Sequence, residues 1–154
     1  MIGVAGHYSR AVPTVLVYSD DASVRERVRM SVGRTPNREL GPLTWLDAAD
    51  SPAVTEHSRD VDLIILDGEA QPAGGLGISR QLKAELADCP PVVVLVARKD
   101  DAWLGRWSNA DVVLPQPVDP PAITEAVVRL LTERLARPPA PVVRSRLGLL
   151  LRRR

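Results

Sequence analysis

Asp67 ends an apolar run, Leu63-Ile64-Ile65-Leu66, and Gly75-Leu76 follows eight residues later. A pair of acids, Asp20-Asp21, follows another β-prone run, Val15-Leu16-Val17-Tyr18. Carboxylates delivered from the carboxyl ends of buried strands stand where open α/β sheets hold their chemistry. Two acids facing one pocket attract a hard divalent cation, and Mg2+ takes oxygen ligands while keeping several waters. Other chemistries have little to work with. Cys89 is the only cysteine, and His7 and His57 are the only histidines, too few for a transition-metal cage. A lone cysteine also rules out an intrachain disulfide and fits a reducing compartment.

The elements that must position these acids can be read from periodicity. Val15 to Tyr18 is a first strand, and Val24, Val28 and Val32 at i, i+4 and i+8 predict a helix ending near Gly33. Leu43 to Leu46 is a second strand, and Ser51-Pro52 opens a short helix to about Ser58. Val61 to Leu66 is a third strand, apolar except at Asp62, as expected when both faces are covered. Gly75 leads into a helix carrying Ile78, Leu82 and Leu86 on one face. Pro91 to Val96 is a fourth strand, Asp100 to Asn109 a helix, and Val112 to Leu114 a fifth strand. Asp119 caps a last helix with Pro120 at its first position and Ile123, Val127, Leu130 and Leu131 on its apolar side.

Strands alternating with helices imply βαβ units. The expected fold is α/β: a five-stranded parallel sheet, doubly wound and flavodoxin-like in order 2-1-3-4-5, with helices on both faces. At 154 residues and 45% hydrophobic content the chain suits one such domain. Residues 1–13 read as a flexible lead-in, 14–136 as the domain and 137–154 as a Pro/Arg-rich tail. The net charge of +1 sets up no global field toward nucleic acid or a membrane. No apolar stretch approaches the ~20 residues that span a bilayer, and no h-region opens the chain. The expected location is the cytoplasm, with peripheral association to a membrane-bound assembly also compatible.

These features together resemble a response-regulator receiver domain of bacterial two-component signalling, over roughly Thr14 to Arg137. The resemblance rests on Val15-Leu16-Val17 before the acidic turn, the strand ending in Asp67, the Gly75-Leu76 offset, Pro91 to Val96, and Pro115-Gln116-Pro117 after the fifth strand. It implies that Asp67 stands at the phosphoacceptor position and that Ser19 and Asp20 match the acids that help hold Mg2+. It further implies that the backbone carbonyl of Glu69 completes the protein ligands, with Asp67 itself in the set.

The chain departs from the family pattern at four switch positions. Ser19 replaces one acid, Val96 replaces a phosphoryl-binding hydroxyl, Gln116 replaces a lysine, and Val113 replaces an aromatic that moves on activation. Mg2+ binding is therefore expected to be weakened or lost, and no cofactor is required. Lys99, after the fourth strand, is the cation within reach of the pocket edge. Pro72 lies five residues past Asp67 where the family's proline lies four past, so that loop is expected to differ in shape.

Two further features suit partners. Trp103 and Trp107 are four apart and share a helical side, either as core or as an exposed anchor. In receivers the face of the fourth helix, fifth strand and fifth helix is a common docking surface. In the tail, Pro138-Pro139-Ala140-Pro141 is a stiff spacer. Beyond it, Arg144, Arg146, Leu147, Leu150, Leu151, Arg152, Arg153 and Arg154 form a basic and apolar segment suited to a protein partner.

No DNA-binding output domain is expected. The leading expectation is an atypical receiver that is not an enzyme and acts as a phosphorylation-independent interaction module or accessory subunit of a larger assembly. The competing one is a working single-domain regulator phosphorylated on Asp67 by a sensor kinase with Mg2+. A third is a small-molecule sensor built on the altered pocket.

Overall fold

The computed structural model describes residues 12–137. Five strands, β1 (Thr14–Tyr18), β2 (Thr44–Ala48), β3 (Leu63–Asp67), β4 (Val92–Val96) and β5 (Val112–Pro115), alternate with five α-helices. These are α1 (Ala22–Val32), α2 (Ser51–His57), α3 (Gly75–Glu85), α4 (Leu104–Ser108) and α5 (Pro120–Ala136), with 3-10 turns at Ser58–Asp60 and Lys99–Trp103. Every strand pairing is parallel, and the sheet order is β2-β1-β3-β4-β5, the order expected from the alternation.

Successive side chains on a strand point to opposite faces, so each apolar run feeds two cores. Val15, Val17, Leu63, Ile65, Val93 and Leu95 meet Val28 and Val32 of α1 and Ile123, Val127, Leu130 and Leu131 of α5. Leu16, Tyr18, Ile64, Leu66, Val92, Val94 and Val96 meet Val54 of α2 and Ile78 and Leu82 of α3. Each large aliphatic side chain buried in this way contributes roughly 1.5–3 kcal/mol.

The helix ends follow local chemistry. Asp21 caps α1 by accepting from the Ser23 N–H at 2.9 Å, and Gly33, at φ 81, supplies the positive φ that ends the helix. Asp50 and Asp119 cap α2 and α5 through Ala53 and Ala122. Such caps are each worth about 1 kcal/mol.

Bounds differ from the expectation by one residue at β1, β4 and β5, and by more at three places. β3 begins at Leu63 rather than Val61, because the Asp62 carboxylate accepts the Thr14 N–H at 2.8 Å ahead of the ladder. β2 extends to Ala48, with Asp47 on this edge strand paired to Arg25 and Arg29 of α1. The segment read as one helix over 100–109 splits into the 3-10 turn and the short α4, which Asn109 ends at φ 61. Gly105 brings α4 down onto β5, so closely that a Cβ there would collide with Cγ2 of Val113.

Candidate functional site

The parallel register assembles the site at the carboxyl edge. Tyr18 pairs with Leu66, so Ser19 follows level with Asp67. Asp67 pairs with Leu95, and Val96 with Pro115, which brings Gln116 alongside. Asp67 is only 4% exposed. Its Oδ2 accepts from the Ser19 hydroxyl at 2.7 Å. Its Oδ1 accepts from Gln116 Nε2 at 2.9 Å and from the Glu69 N–H at 2.8 Å. The carboxylate is thus held by three neutral donors, and hydrogen bonds to an ionised group are stronger than those between neutral partners. Lys99 is exposed at the start of its 3-10 turn and is not among these donors.

The neighbouring acids are separately employed. Asp20 Oδ1 accepts from the Gln71 N–H at 3.1 Å, which ties the β1–α1 turn to the β3–α3 loop. Asp21 is the α1 cap, and bonds from Ser23, its hydroxyl first, lower the carboxyl's pKa. The Glu69 carboxylate accepts from the Ala97 N–H at 3.2 Å, bridging to the end of β4. Ser19 Oγ also accepts from the Asp21 N–H at 3.0 Å, so one hydroxyl links the acidic turn to Asp67. The peptide bonds Gln71-Pro72 and Gln116-Pro117 are both cis.

Sequence reasoning missed Tyr18. Its ring is buried and its hydroxyl donates to the Ala73 carbonyl of the β3–α3 loop. Burial raises the phenol's pKa, and the carboxylates of Asp20, Asp67 and Asp50 push it the same way. A polar-tipped aromatic at the last position of a buried strand was the available signal, since a buried tyrosine hydroxyl needs a partner.

This donor set does not suit Mg2+. Serine stands in for one acid, both Asp67 oxygens already accept hydrogen bonds, and Asp20 Oδ1 is engaged by the Gln71 N–H. Among the described residues no group of three or more His, Cys, Asp or Glu side chains is arranged to hold a metal ion.

Val96 is buried against the α2–α3 side of the sheet and presents no hydroxyl. Val113 is half-buried beneath Gly105. Trp103 and Trp107 are exposed rather than packed in the core. Trp107 leans toward α3, where the Arg80 guanidinium lies 4.9 Å from its ring centroid. The tail candidates Arg144, Arg146, Leu147, Leu150, Leu151, Arg152, Arg153 and Arg154 lie outside the described residues, as do 1–11 of the lead-in. Among the described residues no helix is long and apolar enough to cross a membrane.

No protein-family model matches the chain. Curated relatives do. Two uncharacterised response regulatory proteins of Mycobacterium tuberculosis, from the CDC 1551 and H37Rv strains, are each 47% identical over 119 residues, which covers 76% of this chain and 90% of theirs. The chain belongs to the response-regulator receiver family of two-component signalling. Solved structures agree on the fold. A two-component response regulator of Aurantimonas sp. SI85-9A1 superposes with a TM-score of 0.66 at 19% identity, covering 80% of this chain and 87% of that one. The receiver domain of a LuxO repressor protein from Vibrio parahaemolyticus gives 0.65 at 18% identity, with 80% and 92% covered. A CheY-like receiver domain protein from Methanospirillum hungatei JF-1 gives 0.64 at 13% identity, with 80% and 96% covered.

Proposed function

We propose that this receiver acts as a phosphorylation-independent protein-interaction module, an accessory or regulatory subunit of a larger assembly. The observation that carries the proposal is the neutral cradle that satisfies Asp67 in its unmodified form. A phosphoryl group carries nearly two negative charges. Its transfer relies on positioning and charge stabilisation, and losing one preorganised donor typically costs about 10²–10³ in rate. Val96 and Gln116 withdraw a hydroxyl and a cation together. A modification shifts a conformational equilibrium only through contacts that differ between the two states, and Val96 and Val113 offer no such contacts. The proposed contacts are the α4–β5–α5 side with Trp103 and Trp107, and the basic tail.

Incubating the full chain with Mg2+ and a small phosphodonor, followed by intact mass, tests this reading. The expected outcome is an unchanged mass. A species heavier by roughly 80 Da, the mass of one phosphoryl group, and absent from Asp67→Asn would establish the competing reading of a working single-domain regulator. That alternative draws on the retention of Asp67 and Asp20 at the strand ends.

A further inference from the structure

We infer that the shoulder formed by α3 and α4 docks an acidic protein segment, recognised by the guanidinium that Arg80 presents on the ring of Trp107. This rests on the interaction-module reading and adds where the module binds and what it selects. α4 turns its small residues inward: Gly105 and Ser108 are buried, and the Ser79 hydroxyl of α3 donates to the Ser108 carbonyl at 2.9 Å. Trp103, Arg106 and Trp107, at i, i+3 and i+4, share the opposite side. The two indoles are left 68% and 46% exposed. Tryptophan and arginine are the residue types that dominate binding hot spots.

Arg80 is built for a planar anion. Its guanidinium stacks 4.9 Å from the Trp107 centroid, and Nη1 donates to the Trp107 carbonyl at 2.7 Å. The stack and the bond fix the plane, yet that bond takes only one of the five N–H donors a guanidinium carries. A fixed fork of this kind matches a carboxylate bidentately. No acid stands one helical turn away, where Leu76, Gly77, Lys83 and Ala84 lie.

Charge selects the partner. Among the described residues neither Arg80 nor Arg106 enters an ion pair, whereas Lys83 on the same helix is committed to Asp111. Arg98 and Lys99, in the segment leading into α4, are exposed as well, and Asp100 and Asp101 follow them in the chain. The chain's own tail is an unsuitable occupant, since it carries six arginines and no acid from Arg137 onward. The fitting occupant is a segment of another protein that places Asp or Glu against Arg80 and Arg106 and an apolar residue against Trp103.

The test is a titration of the full chain into labelled synthetic peptides of one length, followed by anisotropy. One peptide alternates Glu with Leu, a second alternates Lys with Leu and a third alternates phosphoserine with Leu; anionic phosphatidylglycerol vesicles form a fourth arm. The Glu peptide is expected to bind most tightly and to weaken with added salt. Arg80→Glu, Trp107→Ala and Arg106→Glu are each expected to weaken it about tenfold or more, with Arg80→Lys between them and wild type. Thermal melts accompany every variant, and Arg106→Glu, which removes no side-chain bond among the described residues, is the deciding variant where another melts early. Equal binding by a folded Arg106→Glu or Arg80→Glu overturns the inference, as does preference for the Lys peptide, the phosphoserine peptide or the vesicles. A phosphoryl adduct on Asp67 beside intact Arg80-dependent binding would overturn the phosphorylation-independent reading and leave this surface standing.

Discussion

The Ser19 hydroxyl gives Asp67 a donor where a typical receiver would set a second carboxylate against it. Ser19→Asp removes that bond and places like charge beside a buried group, so in the absence of divalent cation it is expected to cost roughly 1–3 kcal/mol. Added Mg2+ is expected to return part of the loss. Thermal unfolding with and without the metal measures both, and a Ser19→Asp chain as stable as wild type without metal would show that the cradle does not hold Asp67. Tyr18 gives a second prediction. Its phenol's pKa is raised in the fold, so its contribution is fully present below the unfolded phenol's value and fades as pH climbs through the folded one, above about pH 10. Tyr18→Phe is expected to cost about 1 kcal/mol at neutral pH through the lost bond to Ala73. It is also expected to flatten the alkaline decline, as seen in denaturant midpoints taken on either side of that range. At this scale the sequence placed Asp67 at the carboxyl end of its strand, because the apolar run from Leu63 to Leu66 ends there. The direction of the Ser19 hydroxyl and the loop partner of Tyr18 were hidden, since both depend on residues about fifty positions away.

α4 shows why one element was less legible than its neighbours. Its buried positions are Gly105 and Ser108, and its bulky residues face outward, the reverse of the usual amphipathic pattern. Periodicity therefore indicates a helix but leaves two readings of its tryptophans open. The close approach at Gly105 is open to direct test. Gly105→Ala overpacks the contact with Val113 and is expected to lose about 1–3 kcal/mol. Val113→Ala in the same chain removes the opposing methyls, so the double variant is expected to be more stable than the sum of the two single changes. Strictly additive losses in denaturant unfolding would show that the contact does not limit α4. β2 carried a weaker signal for a related reason. It is an edge strand whose Asp47 is explained by arginines on α1, not by strand periodicity.

Across the whole molecule, the β-α alternation carried enough information to order the sheet, because continuous apolar strands leave few ways to wind helices over both faces. Surface function was less legible, since exposure of a given tryptophan depends on how every element packs. The tail remains a proposal drawn from composition, and a simple comparison tests it. A chain ending at Arg137, which keeps the pairing with Asp88, is expected to bind protein partners more weakly than the full chain. Equal affinity for the same partners would remove the tail as a docking element.

The contact between Gly105 and Val113 also sets what position 113 can hold. Gly105 already closes the space over the valine methyls, so an aromatic side chain at 113 must turn toward solvent or push α4 off β5. The glycine thus fixes the height of α4 above the sheet and the size of the residue beneath it at once.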